Sequence, residues 1–329
     1  MGESMKSIAF VIPFFGKFPK GFDLYLQSCG FNSTIDWIIF TDDRTTYNYP
    51  DNVKVNYCSF EDVCKRIREK FDFEVNLDRP YRLCEFKPTW GEVFANELKE
   101  YDFWGHCDID LLWGDIRKFI TDDIMDKYDK IGNQGHATLY RNTKEVNARY
   151  RHIPQNAPGY VESFSAKSPR AFDEWPMEMI YKELKIPYYM ETIYAHLTKY
   201  EHNFHLGHFP KEDEYKNKRQ VFTLSNGTLL RHYLEKNGEL ATQEFMYIHF
   251  WCRPMVYKTA ATEQASYLIW SDCVDKQKHP VTVGQVNWLG RKHPIQFYAK
   301  SLWFNRHKLT WKRVIFNVRE SIKRRMRSK

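Results

Sequence analysis

The sequence predicts an α/β fold in which a mostly parallel central sheet is flanked by helices, as a single domain followed by a C-terminal helical extension. Short apolar runs alternate with helical patterns through the first 115 residues, and this order is typical of parallel strands joined by crossover helices. The chain has 329 residues, of which 43% are hydrophobic and 17% aromatic, so it can bury a sizeable core.

The first elements follow from their residue patterns. Residues 7–15 (SIAFVIPFF) and 34–40 (TIDWIIF) are continuous apolar runs, which indicates strands buried on both faces. Residues 60–71 repeat apolar side chains every four positions, which indicates one buried face of a helix. We also expect helices over 21–29 and 89–99 and a strand over 53–57.

Beyond residue 115 the pattern is looser. A hairpin is predicted over 220–230, because Asn226-Gly227 is a dipeptide that favours a tight turn. The other expected elements are helices over 122–128 and 173–184, strands over 137–140 and 245–251, and a long loop over 151–169, which is rich in Pro, Gly, Asn and Ser.

Cysteine usage and hydropathy argue against several classes of protein. The seven cysteines include no Cys-x-x-Cys pair, which disfavours a disulfide framework or structural zinc site and favours the reducing cytoplasm. No apolar run approaches the roughly 20 residues that cross a bilayer. Residues 8–15 are too short for a signal peptide, so we expect no secretory leader.

The most informative segment is 101–115, YDFWGHCDIDLLWGD. An aromatic run there contains Asp108 and Asp110, and residues i and i+2 of a strand point to the same side. Such apolar surroundings predict burial, which is costly for carboxylates unless they are paired or bind a metal. The pair therefore predicts a site for Mg²⁺ or Mn²⁺ that carries the phosphates of a substrate.

Other chemically active side chains fall at the same predicted edge of the sheet. In open parallel sheets, ligands bind beyond the carboxyl ends of the strands. Pro13 ends the first strand, Asp42 and Asp43 end the second, and Asp108 and Asp110 follow the fourth. We expect these segments to converge on one crevice, although a turn or helix cap would also explain Asp42 and Asp43.

The segment 85–94 (EFKPTWGEVF), followed by 102–115, resembles GT-A glycosyltransferases, and more narrowly an uncharacterised bacterial group whose genes lie in capsule and O-antigen clusters. The resemblance covers roughly residues 6–255. It implies a GT-A-like domain with a nucleotide-sugar-binding half over 6–115 and an acceptor-binding half over 116–300.

The activity that the resemblance implies is transfer of a sugar from a nucleotide diphosphate sugar, by default UDP-hexose, to a glycan acceptor in surface polysaccharide biosynthesis. Asp108 and Asp110 would hold Mn²⁺ or Mg²⁺ and contact the donor, and Asp42 or Asp43 would face the nucleoside. Arg82 and Lys87 could contact phosphate or the metal-binding aspartates. The alternative for both basic residues is solvated surface charge.

Residues 249–254 (HFWCRP) are partly similar to a His-Phe-x-Gly-x-x-Lys-Pro segment of family 8 glycosyltransferases, although the glycine is missing and the spacing is shorter. In that family the histidine completes the metal site and the lysine holds diphosphate. The resemblance implies that His249 is a metal ligand and that Arg253 contacts phosphate. The alternative for His249 is a satisfied core residue.

A second acidic pair, Asp173 and Glu174, precedes Trp175 in the acceptor half. Sugar sites often combine a carboxylate with an aromatic platform, and an inverting transferase needs a carboxylate to deprotonate the acceptor hydroxyl. Asp173 and Glu174 are therefore candidate catalytic residues, with Glu191 and Glu244 as weaker alternatives. The first turn of a helix would explain the pair equally well.

The basic charge is concentrated at the C-terminus. Residues 306–329 carry ten Lys or Arg and one Glu, so this segment has a charge of +9 within a chain of +7. Residues 301–329 are predicted to form an amphipathic helix with an apolar stripe that includes Trp311 and Ile315. Such a helix can bind an anionic membrane, which predicts a cytoplasmic enzyme on the inner face and a lipid-linked acceptor. A helix packed on the domain is the alternative.

Two other functions fit single features. A haloacid-dehalogenase-type phosphatase also has an Asp-x-Asp after a strand, but its second Asp is usually followed by Thr or Val, whereas Leu111 follows here. A nucleic-acid-binding protein could use the basic tail. The rest of the chain is nearly neutral, however, and no motif interleaves its aromatic and basic residues, so no nucleic acid is expected as a partner.

Overall fold

The computed structural model describes residues 5–191, 194–197, 204–206, 219–251, 253–262, 266–290 and 299. Within these residues the protein has the predicted mixed α/β fold, with a central sheet and flanking helices. Two further sheets extend it. The predicted C-terminal helix over 301–329 lies outside the described residues.

The described strands are, in chain order, β1 Ile8–Pro13, β2 Ile35–Thr41, β3 Val53–Tyr57, β4 Phe103–Cys107, β5 Leu111–Trp113, β6 Lys130–Gln134, β7 Ala137–Arg141, β8 Tyr194–His196, β9 His205–Leu206, β10 Gln220–Ser225, β11 Thr228–Leu234, β12 Leu240–Glu244, β13 Tyr247–His249, β14 Val256–Tyr257, β15 Ser266–Trp270 and β16 Cys273–Lys276.

The described α-helices are α1 Phe22–Gly30, α2 Phe60–Arg68, α3 Leu83–Phe86, α4 Trp90–Val93, α5 Ala95–Leu98, α6 Ile116–Phe119, α7 Asp122–Lys127, α8 Lys144–Ala148, α9 Tyr160–Ser165, α10 Trp175–Glu183 and α11 Val283–Leu289. Short 3₁₀ turns cover Pro80–Arg82, Lys87–Thr89 and Arg149–Arg151.

The main sheet has the strand order β3-β2-β1-β4-β7-β6. The strands from β3 to β4 are parallel, and β7 runs antiparallel to both of its neighbours, β4 and β6. Alternate residues of β1 enter two different apolar clusters, one with α1 and one with α2, which explains why the strand is apolar throughout. At Gly105 of β4 a Cβ atom would lie 2.6 Å from the Thr138 carbonyl, so only glycine allows this approach to β7.

The second sheet has the order β12-β11-β10-β15-β16-β14, and the third has the order β5-β13-β8-β9. The hairpin predicted over 220–230 is confirmed as β10 and β11. Its turn residues Asn226 and Gly227 have φ of 47° and 79°, as the mirror-image turns of hairpins require. The third sheet was not predicted. Its strand β5 follows β4 of the main sheet after three residues and pairs antiparallel with β13.

Three predicted elements differ from the structure. The helix over 89–99 is two short helices that are interrupted at Phe94, whose ring packs 4.5 Å from that of Phe40 and whose backbone leaves the helical region. The loop over 151–169 contains α9, because Phe164 is buried there. The strand over 245–251 shortens to Tyr247–His249, since Trp251 has a left-handed backbone with φ of 44°.

Two further expectations concern domains and membranes. The main sheet continues to Arg141, past the predicted boundary at residue 115, and the division into two functional halves stays a prediction. Among the described helices none is both long and apolar enough to span a bilayer. The six described cysteines are all free thiols, while Cys252 lies outside the described residues.

Candidate metal centre

The Asp-x-Asp pair lies in the connection between two sheets. Asp108 and Asp110 stand between β4 and β5 and not within a strand, so the same-side argument from strand geometry was wrong. The backbone N–H of Asp108 donates to the His136 carbonyl at 3.0 Å, and the Asp110 carbonyl accepts from Phe250 N at 2.9 Å. The Asp108 and Asp110 side chains are 35% and 23% exposed, so they are half-buried and open to a ligand.

His249 reaches the pair from β13, which pairs antiparallel with β5 and places His249 opposite Leu111. Its Nε2 lies 3.3 Å from Asp110 Oδ1 and 3.8 Å from Asp108 Oδ2. One ligand atom from each of the three residues lies within 4.8 Å of the others. The histidine that sequence similarity named is therefore beside both aspartates.

The donor set fits a divalent cation. The His249 Nε2 atom is buried, faces two carboxylates and makes no hydrogen bond within the described residues. A ring nitrogen that faces two carboxylates is stabilised either by a proton of its own or by a cation held among the three groups. The carboxylates suit both Mg²⁺ and Mn²⁺, and the imidazole makes the softer Mn²⁺ the better match of the two.

Lys87 connects the aspartates to a second acidic group. Its Nζ lies 2.6 Å from Asp108 Oδ1 and 3.6 Å from Asp173 Oδ2, and it donates to the Gly135 carbonyl at 2.7 Å. Burial acts to lower the pKa of Lys87, but its acidic neighbours, Asp108 first among them, together outweigh burial and hold the pKa well above its ordinary value. Lys87 is buried, so the surface-charge alternative for this residue is wrong.

Asp173 and Glu174 lie just before α10, beside Gly135. Glu174 stands at the N-cap position of α10 without capping it through its side chain, and its Oε1 accepts from Gly135 N at 3.2 Å. Asp173 is 6% exposed, and burial raises its pKa to about 7, against the opposing effect of the Lys87 cation. The Asp173 carboxyl group is thus set to exchange a proton near neutral pH.

The segment that carries Lys87 also positions Asp173. Two residues before Lys87, Glu85 is buried and its Oε1 accepts from the backbone N–H groups of Arg170 and Ala171, both at 3.0 Å. Ala171 has φ of 53°, so these bonds hold a tight bend immediately before Asp173. Within the Glu-Phe-Lys-Pro sequence, Glu85 therefore holds the loop that carries Asp173, and Lys87 forms an ion pair with Asp108 in the other loop.

The ends of β1 and β2 also meet, as expected from the sheet. Just past Pro13, the N–H of Gly16 donates to Asp42 Oδ1 at 2.7 Å. Asp43 is buried and accepts from Lys17 Nζ at 2.7 Å and Phe18 N at 3.0 Å. Burial would raise the pKa of Asp43, yet these bonds hold it well below its usual range. The structure thus gives Asp43 a role in holding the turn after β1.

The two candidate arginines lie in different surroundings. Arg82 is fully buried and donates to the carbonyls of Asn76 at 3.3 Å and Ser163 at 3.1 Å. It therefore joins α9 to the loop that contains Asn76. The structure shows no contact of Arg82 with the aspartates among the described residues, and its surface-charge alternative is wrong. Arg253 is 6% exposed and follows β13, where its N–H donates to the Phe250 carbonyl. Its phosphate contact stays a prediction.

Sequence reasoning missed two histidines behind His249. His136 stacks on the His249 ring at 4.1 Å between centroids, and Nδ1 of His196 lies 2.9 Å from Nδ1 of His249. A signal for His196 was present, because residues 194–197 (YAHL) and 247–250 (YIHF) are near repeats. These segments pair in parallel with the two histidines in register.

The profile of a family of unknown function (DUF6625) matches residues 10–278. The chain belongs to this family. No curated protein matches this member of the family.

Several solved structures are similar to this DUF6625 member. One is the galactosyltransferase LgtC in complex with donor and acceptor sugar analogues, with 12% identity, a TM-score of 0.32, and coverage of 59% of this chain and 77% of that one. Mouse xyloside xylosyltransferase 1 has 10% identity, a TM-score of 0.33, and coverage of 58% and 88%. The glycosyltransferase GlyE of Streptococcus pneumoniae has 8% identity, a TM-score of 0.31, and coverage of 58% and 46%. Similarity at this level does not assign an activity to this chain.

Proposed function

We propose that this protein is a metal-dependent glycosyltransferase that moves a sugar from a nucleoside diphosphate sugar, by default UDP-hexose, to a glycan acceptor. The observation that carries the proposal is the convergence of Asp108 and Asp110, from the connection between β4 and β5, with His249 from β13. Mixed oxygen and nitrogen donors, with the two carboxylates partly exposed, suit an ion that must also bind a substrate's phosphates.

A bound Mn²⁺ or Mg²⁺ would neutralise the charge that develops on the departing diphosphate. The protein's own residues prepare this position. Lys87 holds Asp108 through a 2.6 Å ion pair, which fixes the direction of the carboxylate. Arg253 would add a bidentate phosphate contact, and Asp42 at the end of β2 would face the nucleoside.

Asp173 is the candidate acid or base for the acceptor hydroxyl, with Glu174 as its neighbour. A group with a pKa of about 7 can both take and return a proton at neutral pH. Trp175, which follows the pair, is 50% exposed and could offer its ring face to a sugar. These features support an acceptor site beside the metal centre, on the Asp173 side of Lys87.

The acceptor and cellular location are proposed from the C-terminal sequence. The +9 charge of residues 306–329 and their apolar stripe support binding to the inner face of an anionic membrane. A lipid-linked glycan of capsule or O-antigen synthesis would be presented at that surface. The enzyme would then be cytoplasmic and peripheral to the membrane.

The test is a panel of nucleotide sugars assayed for released nucleoside diphosphate, with Mn²⁺, with Mg²⁺ and with a chelator. We expect release from at least one donor that is lost in the chelator and in the variant Asp108→Ala/Asp110→Ala. Full release of nucleotide in the chelator, or by the double variant, would contradict the proposal. Hydrolysis of a generic phosphate ester, without release from any nucleotide sugar, would instead favour the phosphatase.

A further inference from the structure

The two ring nitrogens of His249 face different surroundings. Nε2 faces the carboxylates of Asp108 and Asp110, and Nδ1 lies 2.9 Å from Nδ1 of His196. Both histidines are almost fully buried, with 3% and 1% exposure. A contact of this length between two ring nitrogens is an N–H···N hydrogen bond, which requires a single proton between them.

The position of that proton decides whether His249 can bind an ion. A metal binds the unprotonated nitrogen of a neutral imidazole, so Nε2 must be bare and Nδ1 must carry the proton. His249 is then the donor and Nδ1 of His196 the acceptor, with the proton of His196 on its Nε2. In the opposite arrangement His249 would carry a proton on Nε2, at the place where a cation has to bind.

We propose that His196 is a positioning residue that holds His249 in the tautomer able to bind the metal. This inference rests on the proposed function. The two histidines are register partners of the parallel strands β13 and β8, and Leu197 N donates to the His249 carbonyl at 2.9 Å. His136 covers one face of the His249 ring, with an angle of 29° between the rings. The ring is therefore fixed in direction as well as in tautomer.

A second metal site is the competing interpretation, since His136, His196 and His249 also have ligand atoms within 4.8 Å of one another. The geometry favours the hydrogen bond. Lone pairs of imidazole lie in the ring plane, and the stacked rings of His136 and His249 do not direct theirs to a common point. In addition, Nδ1 of His136 lies 3.1 Å from the Tyr247 hydroxyl.

Two variants separate the acceptor role from packing. In His196→Asn the side-chain Oδ1 occupies the place of Nδ1 and can still accept from His249, whereas His196→Leu cannot accept. Calorimetric titration with Mn²⁺ alone should give one ion per chain for the wild type and a 10- to 100-fold higher Kd for His196→Leu, as is typical for loss of a partner behind a ligand. His196→Asn should stay within a few-fold of the wild type.

Nitrogen NMR of the full-length wild type saturated with Mg²⁺, which is diamagnetic, gives a second readout that needs no folded variant. With labelled histidine we expect no proton on Nε2 of His249, a proton on its Nδ1 and a bare Nδ1 on His196, and a proton on Nε2 of His249 would overturn the proposal. Equal Mn²⁺ affinity in wild type and folded His196→Leu would also overturn it, as would two ions bound per chain. Absence of any Mn²⁺ binding by the wild type would instead contradict the proposed function.

Discussion

The Nζ atom of Lys87 lies 2.6 Å from Oδ1 of Asp108. The same ammonium group is 3.6 Å from Oδ2 of Asp173, so a single cation connects a candidate metal ligand with the candidate acid or base. At Asp173, burial raises the pKa to about 7 and the Lys87 cation opposes that rise. A change at Lys87 should therefore affect both carboxyl groups.

Lys87→Met should destabilise the protein, because it leaves buried carboxyl groups without their cation. We expect a loss of about 3 kcal/mol in the free energy of unfolding, at the lower end of the range for broken buried pairs since Asp108 is partly exposed. Urea unfolding at pH 7 measures it. The double variant Lys87→Met/Asp173→Asn should recover part of the loss, and strict additivity of the two changes would show that Lys87 and Asp173 do not interact.

Asp110→Asn should abolish metal-dependent release of nucleotide without unfolding the protein. Its carboxylate contributes a ligand atom beside His249, and its side chain is only half-buried, so stability in a chelator should change by about 0.5 kcal/mol or less. Activity and Mn²⁺ affinity should fall by more than about 100-fold. Asp72→Asn, at an exposed position, is the control that should retain both. Wild-type activity in Asp110→Asn would remove the aspartate from the site.

The pH dependence of stability should change in Asp173→Asn. The pKa of Asp173 is raised from 3.8 to about 7, so between these values the folded protein binds more protons than the unfolded chain. Stability from this group is therefore complete below pH 4 and is lost as the pH rises through 7. As the pH rises from 4 to 8, the wild type should lose on the order of 3 kcal/mol of unfolding free energy relative to Asp173→Asn. Denaturant titrations in a chelator measure it, and a constant gap would show that the pKa of Asp173 is ordinary.

Gly135→Ala should impair sugar transfer more than metal binding. A Cβ atom at this position would collide with Oδ2 of Asp173 and lie 3.1 Å from Oε1 of Glu174, so the acidic pair would have to move. We expect a loss of about 1–3 kcal/mol in stability and a lower kcat with nearly unchanged Mn²⁺ affinity. Gly284→Ala in α11 is the matched control, since the nearest atom to its added methyl is 3.8 Å away. Equal kcat in the two variants would argue against a catalytic role for the pair.

Truncation after Asn305 should abolish binding to vesicles that contain anionic lipid, and moderate salt should weaken that binding in the full chain, since exposed charges are screened over about 8–10 Å. Donor hydrolysis should persist, while transfer to a lipid-linked acceptor falls. The double variant Trp311→Ser/Ile315→Ser should lose much of its co-sedimentation with these vesicles. The control Asn317→Ser, which lies off the apolar stripe, should keep it. Equal sedimentation of truncated and full-length protein would exclude the tail as the membrane anchor.

The first part of the main sheet could be predicted because its first two strands are continuous apolar runs and the third alternates apolar and polar residues. The strands expected over 7–15, 34–40 and 53–57 are all present, with ends that differ by two residues at most. The hairpin at Asn226-Gly227 was equally clear, since its turn needs two residues with positive φ and those two residue types adopt it readily.

The third sheet could not be predicted, because β5 and β8 have three residues each and β9 has two. Segments this short show no periodicity, and they become strands only through pairing, β5 and β8 with β13 and β9 with β8. Prediction of His196 depended on that pairing. Arg82 and Lys87 were treated alike for a similar reason: they are five positions apart, and only the helical path between them directs one toward α9 and the other toward Asp108.

The pairing of β5 with β13 extends over three residue pairs, and Leu111 opposite His249 is the last of them. Successive side chains of a strand alternate between faces, so a slip of one residue would turn the imidazole away from both aspartates. All three ligand residues would still be present in the sequence. Deletions in distant loops that shift this ladder could therefore remove metal binding as completely as a change of ligand. Conversely, transplanting the centre into another scaffold would require three aligned backbone segments in addition to the three ligand side chains.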